Sequence, residues 1–240
     1  MNTASGRAGS RSPSCWASAS RPSWSACRAF SQPEAVHGRP GTDGGVRAAY
    51  AARAAEYISR FGSLESTHPE DRTLIAEWAE PLSGHVLDVG CGPGQWSSFL
   101  ADRGADVEGF DPVPEFVEHA STRFPNVAFR VAGFRDLPVA PGSVAGILTW
   151  YSLIHTEPED MPLILEELGR RLAPGGALLL GFFEGARVEQ FPHAVAPAYF
   201  WPAADLEELL QGAGFDVVSV TRRTEAGVRP HAAISARLRH

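Results

Sequence analysis

The glycine-rich segment over residues 85–100, HVLDVGCGPGQWSSFL, holds the residues best suited to bind a ligand. Its first apolar residues predict a short buried strand with Asp88 near the end. Glycines then take alternate positions at Gly90, Gly92 and Gly94, and a helix is predicted directly after them. Glycine permits positive φ and close approach of a ligand, while the N-terminus of a helix offers N–H donors. The segment therefore predicts a cradle for a cofactor.

The spacing of the glycines indicates which cofactor. A dinucleotide fingerprint reads G-x-G-x-x-G and a P-loop ends in Lys followed by Ser or Thr, and this segment has neither pattern. The segment has the form of the first motif of the class I S-adenosylmethionine-dependent methyltransferases. The chain therefore resembles that family. A second motif of that family, Leu-x-Pro-Gly-Gly, follows at residues 172–176. The resemblance implies that S-adenosylmethionine (SAM) is the cofactor and that the glycine turn, including Cys91, binds it.

An acidic residue is expected at the end of the second strand, which is predicted over residues 107–110. A nucleotide fold places such a side chain where it accepts hydrogen bonds from both ribose hydroxyls. Asp111 holds that position, and the resemblance implies that it binds the ribose of SAM, with Pro112 fixing the turn beyond it. The alternative is an N-terminal cap for the helix predicted from Pro114.

The third strand is predicted over residues 126–131. The turn that follows it corresponds to the adenine site of the family. The resemblance implies that Gly133 and Phe134 bind adenine through backbone contact and packing. Asp136 is a candidate partner for the adenine amino group. It is equally explained as a turn residue exposed to water.

A histidine follows the fourth strand, which is predicted over residues 144–150. Open α/β sheets bind ligands at the carboxyl ends of their strands, so His155 is a candidate catalytic base. Neutral imidazole can accept the proton that a nucleophile loses on methylation. The alternative is a structural histidine bonded to the neighbouring loop. The resemblance implies that Trp150 and Tyr151 flank the methionine part of SAM.

An aromatic, proline-bracketed segment over residues 184–204 interrupts the periodic pattern. It is predicted to be either a lid over the substrate or a plug that completes the core, and the lid is favoured. Aromatic rings provide flat apolar walls for a small organic molecule, while Arg187 and His193 could orient a polar group on it. His193 is therefore a second candidate catalytic residue.

Two amphipathic helices are predicted before the sheet, over residues 46–80. Tyr50 and Tyr57 share one helical face, and the resemblance places both in a cap over SAM, where both are candidates to line the pocket and Tyr50 is a candidate SAM contact. The alternative is that the two rings pack only in the core.

The order of predicted elements indicates an α/β fold: a doubly wound, mostly parallel seven-stranded sheet of the Rossmann-like methyltransferase type with an N-terminal helical cap. Residues 173–176 are predicted to form a turn into a fifth strand over residues 177–182, and the last strand is predicted over residues 231–238. Residues 1–44 carry five arginines and two acidic residues without a periodic apolar face. They are predicted to be a disordered extension, or alternatively a transit peptide. The predicted organisation is a methyltransferase domain over residues 45–240, with cap helices 46–80, a core 84–240 and a lid 184–204.

Charge and composition restrict the partners. The net charge is −7, and all 21 basic residues are arginines, so nucleic acid is not expected as a partner. The three cysteines are too scattered for disulfides or a zinc site, and no metal is expected. No apolar run is long enough for a membrane span. We expect a cytoplasmic monomer or homodimer.

The function implied by these features is methyl transfer from SAM to a small molecule. Two alternatives remain open at this stage. One is a partner protein that keeps the cofactor pocket without catalysis, and the other is a nucleotide-dependent oxidoreductase.

Overall fold

The computed structural model describes residues 43–240. The prediction of a disordered or targeting extension over residues 1–44 falls almost entirely outside this part of the chain. The first described helix begins at Asp43, at the boundary predicted for the folded domain.

The helices lie in the order expected from the sequence. They are α1 Asp43–Ala52, α2 Ala54–Phe61, a 3₁₀ turn Leu64–Ser66, α3 Pro69–Ala79, α4 Gln95–Ala101, α5 Pro114–Arg123, α6 Met161–Arg171 and α7 Ala203–Gly212. The strands are β1 His85–Val89, β2 Asp106–Asp111, β3 Ala128–Val131, β4 Val144–Trp150, β5 Leu172–Glu184, β6 Glu189–Phe191, β7 Ala198–Trp201, β8 Phe215–Arg223 and β9 His231–Leu238.

The strands form one sheet whose main part has the predicted topology. Strands β3, β2, β1, β4 and β5 are parallel neighbours in that order, β9 pairs antiparallel with β5, and β8 pairs antiparallel with β9. This confirms the doubly wound α/β fold. The strand order reverses between β1 and β4, so a crevice opens at their carboxyl ends.

Two further strands lie in the segment that the sequence analysis assigned to a lid or a plug. β7 pairs with the last residues of β5, and β6 pairs with β7 as a hairpin. The aromatic rings of Phe191, Tyr199 and Trp201 are buried. The segment therefore contributes to the hydrophobic core, as the plug alternative requires, and it also contributes to a cavity wall described below.

Apolar side chains cover both faces of the central strands, because helices lie on each side. On one face α6 buries the residues that its periodicity predicts to be inward: Met161, Ile164, Leu165 and Leu168. On the other face α3 and α4 contribute Ile75, Trp78, Trp96 and Phe99. The sheet is thus held between two hydrophobic layers.

The Pro-Gly-Gly segment differs from its prediction in one respect. It is a bulge within β5 and not a turn that precedes the strand. Leu172 already pairs with Val144, and the register shifts before Ala177 pairs with Gly146. Gly175 adopts φ 75°, which glycine accepts without strain.

The predicted first cap helix is divided into two at Arg53. The backbone of Arg53 leaves the helical region with φ −121°. The Arg53 guanidinium donates to Glu56 and to the carbonyl oxygen of Ala194. The break links the cap helices to the loop between β6 and β7. Among the described helices, none combines the length and the apolar character needed to cross a membrane.

A buried ion pair joins the cap to the antiparallel end of the sheet. Arg223 of β8 donates to both carboxylate oxygens of Asp71 in α3, and the two side chains are 11% and 6% exposed. Burial raises the pKa of Asp71, and the hydrogen bond from Arg223 opposes that rise. Removal of Arg223 would leave the buried Asp71 carboxylate without this counter-ion.

We expect Arg223→Met to lower the free energy of unfolding by about 3 kcal/mol, because the Asp71 carboxylate loses its counter-ion. The matched control is Arg222→Met, since Arg222 pairs with Glu184 at 2.8 Å but is 53% exposed. The control should cost less than about 1 kcal/mol. Urea unfolding measures both, and equal losses would contradict a special contribution of the buried pair.

Candidate active site

Two cavities open at the carboxyl ends of β1 and β4. The outer cavity, about 1530 Å³ with its mouth, follows the ends of β2 and β3. The inner cavity, about 930 Å³ with its mouth, lies under the cap and the loop after β6. We call the place where they meet the neck, and it is formed by the residues that line both cavities: Tyr50, Tyr57, Gly90, Gly92, Trp150 and Tyr151.

The structure brings together nearly all of the site residues predicted from the sequence. All six neck residues are among them: Tyr50, Tyr57, Gly90, Gly92, Trp150 and Tyr151. The outer cavity adds Asp111, Pro112, Gly133, Phe134 and His155. The inner cavity adds Asp88, Cys91 and His193.

Two predicted residues line neither of these cavities. Arg187 is exposed and pairs with Glu189 at 3.0 Å. The other is Gly94. It precedes α4 with φ 87°, and a Cβ there would lie 2.7 Å from that of Ala120 and 2.9 Å from the ring of Phe129. The glycine therefore allows the helix to pack closely on β3 and α5.

Gly90 permits the close approach of β1 and β4. Its φ is 77°, and a Cβ on it would lie 2.2 Å from the Cβ of Ser152, a distance that real atoms do not reach. The Ser152 hydroxyl donates to the carbonyl oxygen of Val89 at 2.7 Å and joins the two strand ends. Any larger residue at this position would force the strands apart.

The N–H groups of the glycine turn have partners within the protein. Those of Gly90 and Cys91 donate to the carbonyl oxygen of Phe110, and that of Gly94 donates to Cys91. The N–H of Gly92 donates to Asp111. The turn thus offers shape and close backbone approach, while these donors maintain its own conformation.

Asp111 is fixed by the backbone on both sides. One carboxylate oxygen accepts from the N–H of Gly92 at 2.9 Å and the other from that of Val113 at 2.8 Å. Burial raises the pKa of Asp111 to about 6, although both hydrogen bonds act in the opposite direction. The bond to Val113 supports the alternative of a local turn role. Each oxygen keeps a second lone pair, so this role leaves room for a ligand.

Two other carboxylates support the turns around the site. Asp88 is 1% exposed and accepts from the Ser97 hydroxyl at 2.6 Å. Burial raises the pKa of Asp88 to about 7. Asp136 is exposed and accepts from the N–H of Gly133 at 2.7 Å, which favours its interpretation as a turn residue.

His155 is held in one tautomer. Its Nδ1 lies 2.7 Å from the carbonyl oxygen of Pro197, which can only accept, so Nδ1 carries the proton. Burial lowers the pKa of His155 to about 4, and the neutral ring then presents a lone pair on Nε2. The Tyr50 hydroxyl donates to that atom at 2.9 Å. The loop contact of the structural alternative is present, and it orients a basic nitrogen toward the neck.

His193 lies beside this pair on the inner side. Its ring centroid is 5.2 Å from that of His155. Burial lowers the pKa of His193 to about 3, so the imidazole is neutral. Tyr50 is the member of the group that reaches both cavities.

Sequence reasoning missed a second tyrosine–histidine contact. The Tyr151 hydroxyl lies 2.7 Å from Nδ1 of His231 on β9. Tyr151 has φ 56°, a conformation that costs a non-glycine residue roughly 1–3 kcal/mol. No local pattern around residue 231 indicates this contact, because antiparallel pairing of β9 with β5 creates it.

Comparisons with known proteins agree with this architecture. A family model described as a methyltransferase domain matches residues 86–176. The magnesium-protoporphyrin O-methyltransferase of Rhodobacter capsulatus is 30% identical over 163 residues, which cover 62% of this chain and 70% of that protein. The ubiquinone biosynthesis O-methyltransferase of Xanthomonas axonopodis pv. citri is 31% identical over 121 residues, 49% of this chain and half of its own length.

A solved structure shows the same fold. The Burkholderia thailandensis 1,6-didemethyltoxoflavin-N1-methyltransferase, with bound 1,6-didemethyltoxoflavin and S-adenosylhomocysteine, superposes with a TM-score of 0.69. The match covers 87% of this chain and 94% of that one at 19% identity.

The glycine motif, the strand order and 30% identity over more than two thirds of a named methyltransferase lead to one assignment. This assignment replaces the oxidoreductase alternative. The chain belongs to the S-adenosylmethionine-dependent methyltransferases and is an enzyme that uses SAM as its methyl donor.

Proposed function

We propose that this enzyme methylates an uncharged, largely aromatic small molecule at a hydroxyl group held in the neck. The observation that carries the proposal is the Tyr50–His155 pair, which places a proton acceptor where the two cavities meet. Two of the named relatives are O-methyltransferases, which is consistent with an oxygen atom as the acceptor.

The outer cavity suits the adenosine part of SAM. Asp111 would accept from the ribose hydroxyls, with Pro112 beside it, and Gly133 and Phe134 would contact the adenine ring. The open space beside Gly92, where a Cβ would meet nothing closer than 4.0 Å, supports this fit.

The methionine part would lie along the glycine turn. Gly90 and Cys91 would contact it from below, and Trp150 and Tyr151 would flank it. Asp88 would stabilise the glycine turn through the hydrogen bond that it accepts from the Ser97 hydroxyl.

The inner cavity supports an uncharged aromatic acceptor. Its described lining includes no arginine, and the chain has no lysine, so an anionic acceptor would find no cationic partner. Eight of its lining residues carry aromatic rings, among them Phe61, Trp96, Phe183 and His193. His193 and Val195 come from the 184–204 segment, which would cover the bound acceptor as a lid.

Tyr50 and His155 would move the acceptor's proton together. As the acceptor oxygen bonds to the methyl carbon and the methyl–sulfur bond breaks to release S-adenosylhomocysteine, the Tyr50 oxygen would accept the acceptor's proton. The Tyr50 proton would pass to Nε2 of His155. The Pro197 carbonyl oxygen keeps His155 in the required tautomer throughout. His155 therefore acts as the base through Tyr50, and His193 would orient the acceptor.

SAM supplies a methyl group activated by a positive sulfur, and the loss of that charge offsets the cost of a new positive charge on buried His155. The protein's own contribution is mainly positioning and exclusion of water, because the donor is already activated.

The proposal extends to the cellular setting. The free buried thiol of Cys91 and the net charge of −7 suit a cytoplasmic enzyme that acts on small molecules and not on nucleic acid. Its state as a monomer or homodimer stays a prediction.

The acceptor class is tested by incubating the full chain with SAM and a panel of matched neutral phenols and aromatic carboxylates. We expect release of S-adenosylhomocysteine with neutral phenols only. Turnover confined to carboxylates would contradict the proposal. Tight binding of S-adenosylhomocysteine without turnover of any phenol or carboxylate would also contradict the proposed acceptor class.

The proton path is tested with Tyr50→Phe and His155→Gln. Each should lower kcat by about 100-fold, since general base catalysis of this kind contributes roughly 10²–10⁴. Affinity for S-adenosylhomocysteine, measured by calorimetry, should change little. The matched control is Tyr57→Phe, which alters a neighbouring neck tyrosine. Unchanged kcat in Tyr50→Phe would remove Tyr50 from the path.

Cofactor affinity should depend on pH through Asp111. Because its pKa is raised to about 6, the carboxylate loses its acceptor capacity as the pH falls through 6. We expect S-adenosylhomocysteine to bind roughly tenfold more weakly at pH 5 than at pH 7.5, which corresponds to about 1.4 kcal/mol. Asp111→Asn should bind weakly at both pH values, whereas Asp88→Asn should keep a transition near pH 6. A pH-independent affinity of the unmodified chain would contradict the assignment.

A further inference from the structure

We propose that His231, on the last strand, is a positioning residue for methyl transfer because it holds Tyr151 in place at the neck. His231 lines neither the outer nor the inner cavity, so it would act through Tyr151. The proposal rests on the proposed function in one respect, that the neck is where the reaction takes place.

Tyr151 needs an external constraint. It is the one non-glycine residue with positive φ in the described part of the chain. Its N–H donates to the carbonyl oxygen of Gly181 at 3.1 Å, which fixes the backbone at the end of β4. Without further contacts, an L-residue favours the ordinary region of negative φ, and its side chain would then leave this position.

The Tyr151 ring is held on three sides. Its centroid lies 5.3 Å from that of Trp150, 5.2 Å from that of Phe183 and 5.4 Å from that of His231. These ring contacts restrict where the Tyr151 ring can lie, but they do not fix the direction in which its hydroxyl points. The hydrogen bond of 2.7 Å between the hydroxyl and Nδ1 of His231 does so.

His231 is itself rigidly placed. It is 5% exposed and lies on β9, which pairs with β5 on one side and with β8 on the other. Its partners in the strand register are Phe183 of β5 and Arg223 of β8. Burial, assisted by the charges of Arg223, His68 and Arg229, lowers the pKa of His231 to about 4. The ring is therefore neutral near pH 7, and its hydrogen bond to Tyr151 does not depend on titration in that range.

Through this contact, the position of β9 affects the reaction site. Tyr151 lines both cavities, so a movement of its ring would change the shape of the neck on the side of the donor and the acceptor together. A misplacement of about 1 Å at a reacting centre can lower the rate by about 100-fold. A buried contact behind the site can therefore affect catalysis without touching a ligand.

The test compares four variants of the full chain: Tyr151→Phe, His231→Leu, His231→Gln and the double variant Tyr151→Phe with His231→Leu. Tyr151→Phe removes the hydrogen bond and keeps the ring, so it remains informative if His231→Leu folds poorly. The matched control is His85→Gln, because His85 lies on β1 and pairs with exposed Asp106 at 3.1 Å, away from the site. Each variant is measured for S-adenosylhomocysteine affinity by calorimetry, for kcat and KM, and for unfolding by urea.

We expect Tyr151→Phe and His231→Leu each to reduce either S-adenosylhomocysteine affinity or kcat by about tenfold. The double variant should be no worse than the more affected single variant, because both remove the same bond. His231→Gln should restore most of the loss, since its amide can still hydrogen-bond to the hydroxyl. His85→Gln should behave like the unmodified chain.

Two results would overturn the proposal. One is a loss of stability in His231→Leu with unchanged affinity, kcat and KM, which would indicate a structural role only. The other is a multiplication of the two single effects in the double variant. Affinity is measured without an acceptor, so failure to find an acceptor would count against the proposed acceptor class, whereas these two results count against His231.

Discussion

The site depends on how closely the carboxyl ends of β1 and β4 approach each other. Gly90 makes this approach possible, because any Cβ there would overlap with Ser152, and the Ser152 hydroxyl then joins the two strands through Val89. The strand order reverses at this point, so the helices that follow the two strands diverge and leave a crevice between them. The two cavities and the neck occupy that crevice. Without the close approach, Asp111 and His155 would not share one site.

Burial is the second constraint, and it acts on charge. Histidines near the neck are removed from water, so their neutral forms are favoured, while the same burial makes Asp88 and Asp111 harder to ionise. Each ring nitrogen of His155 has a hydrogen-bond partner: the Pro197 carbonyl oxygen for Nδ1 and the Tyr50 hydroxyl for Nε2. The result is a site with neutral, oriented groups, suited to a reaction in which the donor already carries the activating charge.

Local pattern was sufficient for most of the fold and for part of the site. The bounds of β4 and β9 and the buried side of α6 follow from periodicity, because strands and helices alternate their apolar residues at different spacings. The break at Arg53, the bulge at residues 172–176 and the hairpin within residues 184–204 did not follow. Each of these depends on contacts with chain segments distant in sequence, such as the bond from Arg53 to Ala194.

The sequence alone thus determined the main strand order, the cofactor class and the residues of the glycine turn. The strand order follows from the alternation of strand and helix patterns along the chain, and the cofactor class follows from the family resemblance that the two glycine motifs carry. Only the tertiary structure decided that Tyr50 contacts His155, that the His193 ring lies beside that of His155, and that His231 contacts Tyr151. These pairs come from elements far apart in the chain. Their geometry is set by strand register and helix packing, which no local spacing encodes.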